Sequence, residues 1–335
     1  MRAALLEKIA AIETRPLKLV DLPMPEPADN EVLIMVSVCG VCRTDLHIIE
    51  GDIPAKRLPI VPGHQIVGTV KKTGRSVKKF QAGERVGVAW LASTCKECEF
   101  CTAARENLCP GSVYTGYHRH GGFAEYVTAV SDYVYSIPES FSDQEAAPLL
   151  CAGIIGYRAL KRSAFNDGKT LGIYGFGSSA HIVAKLVLAR SGRLFVATRN
   201  EKHRKLAREL GAEVVVGGYD NFPEPVDSAI IFAPAGELVP VALKNLKKGG
   251  TVALAGIHMS EIPAMDYESC LFHEKNLVSV EANTREDGRE LLEAAAAAGL
   301  KPELTEFPLN DANQALIQLK YDGFKGTAVL NIAGS

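Results

Sequence analysis

Four cysteines lie close together in the segment CKECEFCTAARENLC, which covers residues 95–109. Their spacing, C-x2-C-x2-C-x7-C, allows four thiolates to converge on one tetrahedral zinc ion. Four thiolates leave no coordination position for water or substrate, so the spacing predicts a structural zinc that stabilises a loop. An iron–sulfur cluster also uses four cysteines, although its usual spacings differ from this one. The predicted ligands are Cys95, Cys98, Cys101 and Cys109.

A second group of chemically capable residues is spread over three segments. CGVCRTDLH, residues 39–47, contains two cysteines, a threonine, an aspartate and a histidine; PGHQIVG adds His64 and LLCAGIIGYRAL adds Cys151. A catalytic zinc needs three protein ligands and an open fourth position, and two thiolates with one imidazole form one of the known ligand sets. Each segment alone is typical of buried core residues. Their combination in one chain predicts a catalytic metal site.

The segment GIYGFGSSA, residues 172–180, carries a candidate nucleotide motif. Gly175, Gly177 and Ala180 form the pattern G-x-G-x-x-A between a predicted strand and a predicted helix. Glycines at these positions let the backbone approach a pyrophosphate, which then lies on the helix N-terminus. A lone motif of this kind is weak evidence. The flanking strand, helix and second strand make it a firm prediction of a dinucleotide site.

The end of the next predicted strand, LFVATRN, bears on which dinucleotide is preferred. An enzyme that prefers NAD places Asp or Glu there, about 20 residues beyond the glycines, to bind the ribose 2′-hydroxyl. This chain has Thr198 and Arg199 instead. No carboxylate repels a 2′-phosphate, and the Arg199 guanidinium can pair with one bidentately. The sequence therefore predicts that NADP(H) is preferred over NAD(H).

Composition narrows the class of protein. The chain has 335 residues, 47% of them hydrophobic, which predicts a sizeable core and two domains. A net charge of -2 indicates neither nucleic acid nor an anionic membrane as a partner. No apolar run reaches the ~20 residues of a membrane span, and the first residues lack a signal-peptide core, so we expect a cytoplasmic protein. In that reducing compartment its eight cysteines favour metal binding over disulfides.

The hydrophobic pattern changes along the chain. Up to about residue 145, short apolar runs separated by Gly, Pro and charged residues predict antiparallel strands and loops. From about 170 to 282, six strand-like runs alternate with helix-like ones. The third helix-like run predicts a helix over 236–250. That alternation predicts a parallel sheet covered on both faces. The tail after residue 284 predicts two helices and a strand.

With these motifs in this order, the sequence resembles the zinc-dependent medium-chain alcohol dehydrogenases over essentially its whole length. The resemblance implies an α/β fold class with a GroES-like β-rich catalytic domain and a doubly wound, parallel-sheet Rossmann domain. The expected boundaries are 1–147, completed by 284–335, for the first and 148–283 for the second. It also implies two zinc ions per chain, a homodimer or homotetramer, and reversible hydride transfer between a small alcohol or aldehyde and NADP(H) or NAD(H).

The same resemblance implies roles for the residues that could do chemistry. Cys42, His64 and Cys151 match the catalytic zinc ligands. Thr44 matches the hydroxyl that takes the proton from the alcohol, and His47 matches the outer end of the proton relay. A threonine hydroxyl has too high a pKa to be the final base, whereas a histidine accepts protons at physiological pH.

Three further positions acquire expected roles in this way. Asp45 matches a partner of the zinc-binding histidine, and Arg43 a contact of the cofactor pyrophosphate. Trp90 falls where the family lines its substrate pocket, which favours aliphatic or aromatic alcohols over polyols. Cys39 is not a ligand in such enzymes.

Two departures from the family pattern leave alternatives open. The family usually has glutamate after the zinc-binding histidine, and this chain has Gln65, a neutral amide that leaves the charge of the metal less offset. Near Thr327 the family often has an arginine for the pyrophosphate, so Arg43 carries more of that contact here. A zinc-free quinone or enoyl reductase is disfavoured by the full ligand set. A catalytically silent zinc- and nucleotide-binding sensor is the alternative that the change at Gln65 suggests.

Overall fold

A computed structural model describes residues 1–324 and 326–332. The chain forms two compact units. The first unit contains Met1–Cys151, Ala282–Ala296 and the described residues from Lys301 onward, and the second contains Ala152–Glu281 and Ala297–Leu300. Cys151, which the predicted boundary assigns to the Rossmann domain, is thus the last residue of the first segment of the first unit.

Strands make up most of the regular secondary structure in the first 151 residues. The strands are β1 (Arg2–Leu6), β2 (Leu17–Asp21), β3 (Glu31–Gly40), β4 (Gln65–Thr73), β5 (Arg85–Val88), β6 (Leu91–Ser93), β7 (Val113–Tyr114), β8 (Tyr126–Val130) and β9 (Val134–Ser136). The α-helices are α1 (Arg43–Glu50), α2 (Glu99–Thr102) and α3 (Asp143–Ala146), with 3₁₀ turns at Ile12–Thr14, Glu106–Leu108, Ser131–Tyr133 and Ala147–Leu150.

The second unit alternates helices and strands. In chain order these are α4 (Ala152–Arg162), β10 (Thr170–Tyr174), α5 (Ser178–Ala189), β11 (Arg193–Ala197), α6 (Glu201–Glu209), β12 (Val214–Val216), β13 (Val226–Ile231), α7 (Leu238–Lys244), β14 (Leu246–Leu254), α8 (Tyr267–Cys270) and β15 (Asn276–Ser279). The tail adds α9 (Arg285–Ala297), β16 (Leu304–Pro308), a 3₁₀ turn at Leu309–Asp311, α10 (Ala312–Lys320) and β17 (Thr327–Asn331).

The main sheet of the first unit combines strands from both ends of the chain. Its order is β16-β17-β3-β4-β5-β9, and β8 also pairs with β3. β17 runs antiparallel to β3, with Leu330 opposite Cys39 and Val329 opposite Gly40. The Val41 N–H then donates to the Ala328 carbonyl at 2.9 Å. The tail strand therefore holds the end of β3, from which the chain continues into Cys42 and α1.

The sheet of the second unit confirms the parallel arrangement that the alternating pattern predicts. Its order is β12-β11-β10-β13-β14-β15, and each neighbouring pair is parallel. The central strand β10, TLGIY, is buried at all five positions, as expected for a strand covered on both faces. Parallel strands end together at one sheet edge, so the loops after β10 and β11 become neighbours.

One predicted helix is wrong in its second half. The helix expected over 236–250 is α7, which ends at Lys244. The side-chain amide of Asn245 donates to the Val241 carbonyl at 3.0 Å. The backbone carbonyl of Asn245 accepts from the Val226 N–H at 2.8 Å. The chain therefore leaves the helix and enters β14 at Leu246, which lies opposite Val226. The sequence pattern also does not reveal β16, which pairs in parallel with β17.

Within 1–324 and 326–332, no helix combines the length and the apolar character of a membrane span.

Candidate active site

The start of α1 organises one cluster of side chains that could hold a metal ion. Cys42 is the N-cap of α1, and Asp45 occupies the third helical position. Asp45 Oδ2 accepts a hydrogen bond from the Cys42 N–H at 2.9 Å, so a carboxylate from the first turn satisfies a free backbone donor. The side chain of Asp45 is fully buried. The same carboxylate thereby anchors the backbone that carries the Cys42 thiol.

The second oxygen of Asp45 orients His64. Asp45 Oδ1 accepts from Gly63 N–H at 3.1 Å and lies 3.0 Å from His64 Nδ1. Because Nδ1 donates to the carboxylate, Nε2 of the neutral imidazole carries a lone pair that can bind a metal. Burial opposes a positive charge on His64, but Asp45 and Cys42 outweigh it and raise the pKa of His64 to about 10. The pocket therefore favours positive charge at this point.

Cys42, His64 and Cys151 form a compact three-donor cluster. Their ligand atoms lie within 4.8 Å of one another, and His64 Nε2 lies 3.3 Å from Cys151 Sγ. Tetrahedral zinc with its usual bond lengths separates a nitrogen and a sulfur ligand by about 3.6 Å. The Cys151 thiol beside Cys42 lowers the pKa of Cys42, which favours a thiolate there. Two sulfurs and one imidazole at this spacing fit a zinc ion with one position left open.

Thr44 and His47 follow on α1, one turn apart. Thr44 Oγ1 lies 3.7 Å from Cys42 Sγ, and the Thr44 side chain is buried beside the cluster. His47 is three residues further and therefore on the same helix face. Its Nδ1 lies 2.8 Å from Asp52 Oδ2, and 21% of its side chain is exposed. The arrangement leads from the buried cluster towards solvent.

An aromatic group covers the other side of His64. The Trp90 ring meets the His64 ring edge-on, with centroids 4.9 Å apart. Tyr114 and Tyr117 stack on Trp90 at 4.8 and 5.8 Å, and His118 contacts both tyrosines. The Tyr117 hydroxyl donates to the Pro54 carbonyl at 2.6 Å. On the Trp90 side, the surroundings of the cluster are thus aromatic.

The four cysteines of residues 95–109 form the second donor cluster. Their sulfurs also lie within 4.8 Å of one another, with Cys95 Sγ 3.8 Å from Cys101 Sγ and 3.4 Å from Cys109 Sγ. Backbone N–H groups point at these sulfurs, among them Cys98 N to Cys95 Sγ at 3.4 Å and Gly111 N to Cys109 Sγ at 3.3 Å. Such donors stabilise thiolates. All eight cysteines of the chain are free thiols, so this cluster has the sulfurs for a four-thiolate zinc site.

The glycine-rich loop lies between β10 and α5 in the second unit. Gly175 has a φ of +85°, and a Cβ there would lie 2.8 Å from Ala233 N, so only glycine fits without strain. Gly177 is the N-cap of α5, and a Cβ built on it would meet nothing within 4 Å. Ala180 is fully buried. The loop presents open space at a helix N-terminus, which is the geometry that accepts a pyrophosphate.

The chain after β11 places the Thr198 side chain in the interior and Arg199 at the surface. The Thr198 N–H donates to the Val216 carbonyl at 3.2 Å, and its side chain is buried. Arg199 is exposed, and its guanidinium makes no hydrogen bond or ion pair within the described part of the chain. A Cβ on Gly218 would lie 2.6 Å from Arg199 Cγ. The glycine therefore leaves room for the arginine stem.

Comparison with known proteins assigns the chain to a family. Residues 28–139 match the family model described as "Alcohol dehydrogenase GroES-like domain", and residues 175–297 match "Zinc-binding dehydrogenase". A protein of Mycobacterium tuberculosis described as "Probable alcohol dehydrogenase AdhA" is 46% identical over 326 residues, covering 96% of this chain and 94% of that protein. An alcohol dehydrogenase of Geobacillus stearothermophilus is 34% identical over 328 residues, covering 94% and 96%.

The chain belongs to the zinc-dependent medium-chain alcohol dehydrogenase family. Among solved structures, a cinnamyl alcohol dehydrogenase of Sorghum bicolor shares 28% identity at a TM-score of 0.91, covering 100% of this chain and 98% of that one. CAD of Helicobacter pylori in complex with NADP(H) shares 25% at a TM-score of 0.88, with full coverage of both chains. The predicted fold class, a GroES-like domain plus a parallel-sheet Rossmann domain, is confirmed.

The structure also places Gln65, which departs from the family pattern, and Arg43, which is expected to compensate for the departure near Thr327. Gln65 begins β4 directly after His64 and is buried, with its Oε1 atom lacking a hydrogen-bond partner within the described residues. Arg43, expected at the pyrophosphate, donates to Asp322 Oδ1 at 3.2 Å and to the Leu319 carbonyl at 3.3 Å. It is half-exposed, so this surface ion pair is a weak restraint.

Some residues of this alcohol dehydrogenase site were not identified from the sequence. Asp52 beside His47 and Tyr117 beside Trp90 lie in loops, and Tyr114 lies in the two-residue strand β7, all without a recognisable motif. Glu106 is buried in the segment that carries the four cysteines, residues 95–109, here called the four-cysteine lobe. Its Oε1 accepts from both the backbone N–H and the Nε of Arg285. A carboxylate directly before Asn-Leu-Cys, within the four-cysteine segment, was the available signal. It anchors the lobe to a segment that is remote in sequence.

Proposed function

We propose that this protein is a zinc-dependent alcohol dehydrogenase or aldehyde reductase, which transfers hydride reversibly between a small alcohol and NADP(H) in preference to NAD(H). The observation that carries the proposal is the three-donor cluster of Cys42, His64 and Cys151, in which Asp45 holds the His64 ring with Nε2 towards both sulfurs. A zinc ion bound there would supply a Lewis acid that polarises the alcohol or carbonyl oxygen. The four cysteines of the lobe would hold a second, structural zinc.

The chain's own residues would manage the proton. Thr44, buried beside Cys42, is placed to accept the alcohol proton through its hydroxyl while passing its own proton on. His47, one helical turn away and partly exposed, is the acceptor that can release it to solvent. Asp52 orients the His47 ring through Nδ1, which leaves Nε2 as the nitrogen that takes up the relayed proton.

The proposed substrates are aliphatic or aromatic alcohols and the corresponding aldehydes. Trp90, in edge contact with His64 and stacked on Tyr114 and Tyr117, gives the site an apolar wall close to the reacting position. A polyol would leave hydroxyl groups without partners against these rings. The aromatic wall therefore favours an apolar substituent on the reacting carbon.

The preference for NADP(H) is supported by the residues after β11. No carboxylate stands at the end of that strand, and the exposed Arg199 guanidinium has no competing partner within the described residues. Replacing it in Arg199→Ala should raise KM for NADPH about tenfold, the scale of one charge-assisted hydrogen bond at ~1.5–3 kcal/mol, and leave KM for NADH nearly unchanged. Arg208→Ala, an exposed arginine on α6, is the matched control. Equal losses with both cofactors would contradict the preference.

A homodimer is the simplest assembly for the second unit. β15 forms one edge of its sheet, so its outer backbone groups are available to pair with another strand. Exposed apolar side chains gather in the preceding segment: Ile257, Ile262, Tyr267 and Phe272. We expect two copies to associate through this edge, and Phe272→Glu to shift the mass measured by light scattering towards the monomer. An unchanged mass would place the interface elsewhere.

The deciding experiment is a turnover assay on metal-analysed protein. Zinc per chain is measured first, and a panel of alcohols and aldehydes is then assayed with NADP(H) and with NAD(H). About two zinc ions per chain with turnover of an apolar alcohol supports the enzyme. Binding of zinc and cofactor without turnover of any member of the panel supports the alternative, a sensor of the same fold.

A further inference from the structure

His181 is a buried histidine outside the metal site that no assigned role explains. It lies in the first turn of α5, directly beyond the glycine-rich loop, and is 6% exposed. Its Nε2 lies 3.1 Å from the carbonyl oxygen of Phe176, the residue between the two glycines. The rings of Phe176 and His181 also pack together with centroids 4.7 Å apart. His181 therefore contacts the loop through both its polar and its apolar surface.

The protonation state of His181 follows from its surroundings. Burial, with the nearby His203 and Lys185, lowers the pKa of His181 to about 4, so the ring is neutral at physiological pH. Because a carbonyl can only accept, the single ring proton must be on Nε2. Nδ1 is buried without a hydrogen-bond partner among the described residues. Among the described residues, the contact of Nε2 with the Phe176 carbonyl is therefore the one hydrogen bond that the His181 ring makes.

The hydrogen bond constrains the peptide that links Phe176 to Gly177. This peptide is trans and planar, so its carbonyl and its N–H point in opposite directions. His181 is the one donor to the Phe176 carbonyl in the described structure, and it holds that oxygen towards the protein interior. The Gly177 N–H makes no hydrogen bond there, and in a planar trans peptide it points away from the Phe176 carbonyl. A Cβ on Gly177 would meet nothing within 4 Å, so there is open space beside this residue.

We propose that His181 is a positioning residue for the cofactor, which holds the Phe176 carbonyl inward so that the Gly177 N–H points at the pyrophosphate. This inference rests on the proposed dinucleotide binding by the same loop. Without the Nε2 donor, the peptide is free to turn and present a carbonyl oxygen to the phosphate instead of an N–H. Glycine at 177 makes such a rotation sterically easy.

Two variants separate the hydrogen bond from the packing. His181→Phe keeps a buried ring but removes the donor, whereas His181→Gln places an amide N–H near the position of Nε2. Dissociation constants for NADPH are measured together with KM and kcat. We expect His181→Phe to weaken NADPH binding and raise its KM about tenfold, with kcat and the alcohol KM within twofold of wild type. His181→Gln should restore most of the affinity.

A fragment without a pyrophosphate provides the internal control. Adenosine 2′-monophosphate should compete equally well in wild type and His181→Phe, because its phosphate is read by Arg199 and not by the loop. Val239→Ala, a fully buried substitution on α7, controls for a general loss of stability and should lower Tm without changing the ratio of the two affinities. If His181→Phe does not fold, His181→Asn replaces it, because its shorter amide cannot reach the Phe176 carbonyl.

The outcomes are distinguishable. Equal NADPH affinity in wild type and His181→Phe, or equal loss in the Phe and Gln variants, overturns the positioning role. Loss of adenosine 2′-monophosphate binding in parallel with NADPH would also overturn it, since the defect would then be a general one of the unit. Failure of the wild type to bind any nicotinamide dinucleotide would instead overturn the proposed function itself.

Discussion

The two cysteine-containing clusters of the first unit hold similar donors in different ways. In the four-cysteine lobe, all ligands come from residues 95–109, and backbone N–H groups of the same loop point at the sulfurs. In the other cluster, Cys42, His64 and Cys151 come from three segments, and a buried carboxylate orients the imidazole. The lobe leaves Cys95 exposed, whereas His64 and Cys151 are buried.

We propose that this difference separates a stabilising site from a reactive one. A loop that supplies four thiolates closes the coordination shell of zinc and gains its stability from the metal. A site that takes one ligand from each of three segments can leave a position open, because the surrounding fold, and not the metal alone, holds the donors in place. If the comparison is right, damage to one cluster should lower stability and damage to the other should lower turnover.

The largest expected effect is that of Asp45→Asn on the three-donor cluster. The carboxylate accepts from Cys42 N, Gly63 N and His64 Nδ1, and an amide with one acceptor oxygen must turn its NH₂ towards one of these donors. Loss of such a partner typically weakens metal binding 10- to 100-fold. We expect zinc content to fall from about two to about one per chain, with a similar loss of turnover.

Asp29→Asn, which alters a surface ion pair with Arg75, should change neither quantity. Two zinc ions and normal turnover in Asp45→Asn would show that the carboxylate does not organise the cluster.

The next effect is on stability. Cys98→Ser removes one thiolate from the lobe, and the remaining three should bind zinc more weakly and lower Tm. The folded fraction should keep near-normal turnover per zinc in the three-donor cluster. Thermal unfolding, zinc analysis and active-site turnover on the same sample test this. Loss of the catalytic-site zinc with the lobe still metallated would reverse the two assignments.

A smaller expected difference between the two clusters is the order in which a thiol reagent reaches them, because the lobe has an exposed cysteine, whereas two ligands of the three-donor cluster are buried. Cys95 is exposed, and hydrogen bonds from the backbone of Glu97 and Cys98 lower its pKa to about 6, so it is a reactive thiolate at neutral pH. An organomercurial added stepwise should release the lobe zinc first, measured with a zinc-binding dye, while turnover is still retained. If activity instead disappears with the first zinc released, the reagent reaches the three-donor cluster before the lobe, which contradicts this prediction.

The smallest expected effect is that of Gln65→Glu. Gln65 is buried directly after His64, and its Oε1 has no partner in the described structure. An ionised carboxylate there would offset the positive charge at the cluster and raise the pKa seen in kcat for alcohol oxidation. Burial disfavours that ionisation, so the shift should be modest.

The measurement for Gln65→Glu is a pH–rate profile, with hydride transfer shown to be rate-limiting by a deuterated alcohol. Gln65→Leu, which keeps a neutral side chain, is the control for packing. Coincident profiles for the wild type and the glutamate variant would leave Gln65 a packing role only.

The sequence predicted a site more fully when the residues of that site are close together in the chain. The lobe was predictable because its four sulfurs belong to one short loop, so spacing alone indicates convergence. The three-donor cluster was assigned through resemblance to a family, since spacing cannot show that Cys151 meets Cys42. The helix predicted over 236–250 failed because strand pairing between Leu246 and Val226 outweighs the helical tendency of LKNLKK.

By itself, the sequence determined the two kinds of unit, the four-thiolate loop and the glycine pattern, because each depends on residues that are near one another in the chain. Only the tertiary structure decided that β17 holds the end of β3, that Asp45 joins Cys42 to His64, and that Trp90 contacts His64 and stacks with two tyrosines. It also decided that His181 reaches back to Phe176. These contacts depend on side-chain direction and on pairing between segments, neither of which hydrophobic periodicity specifies.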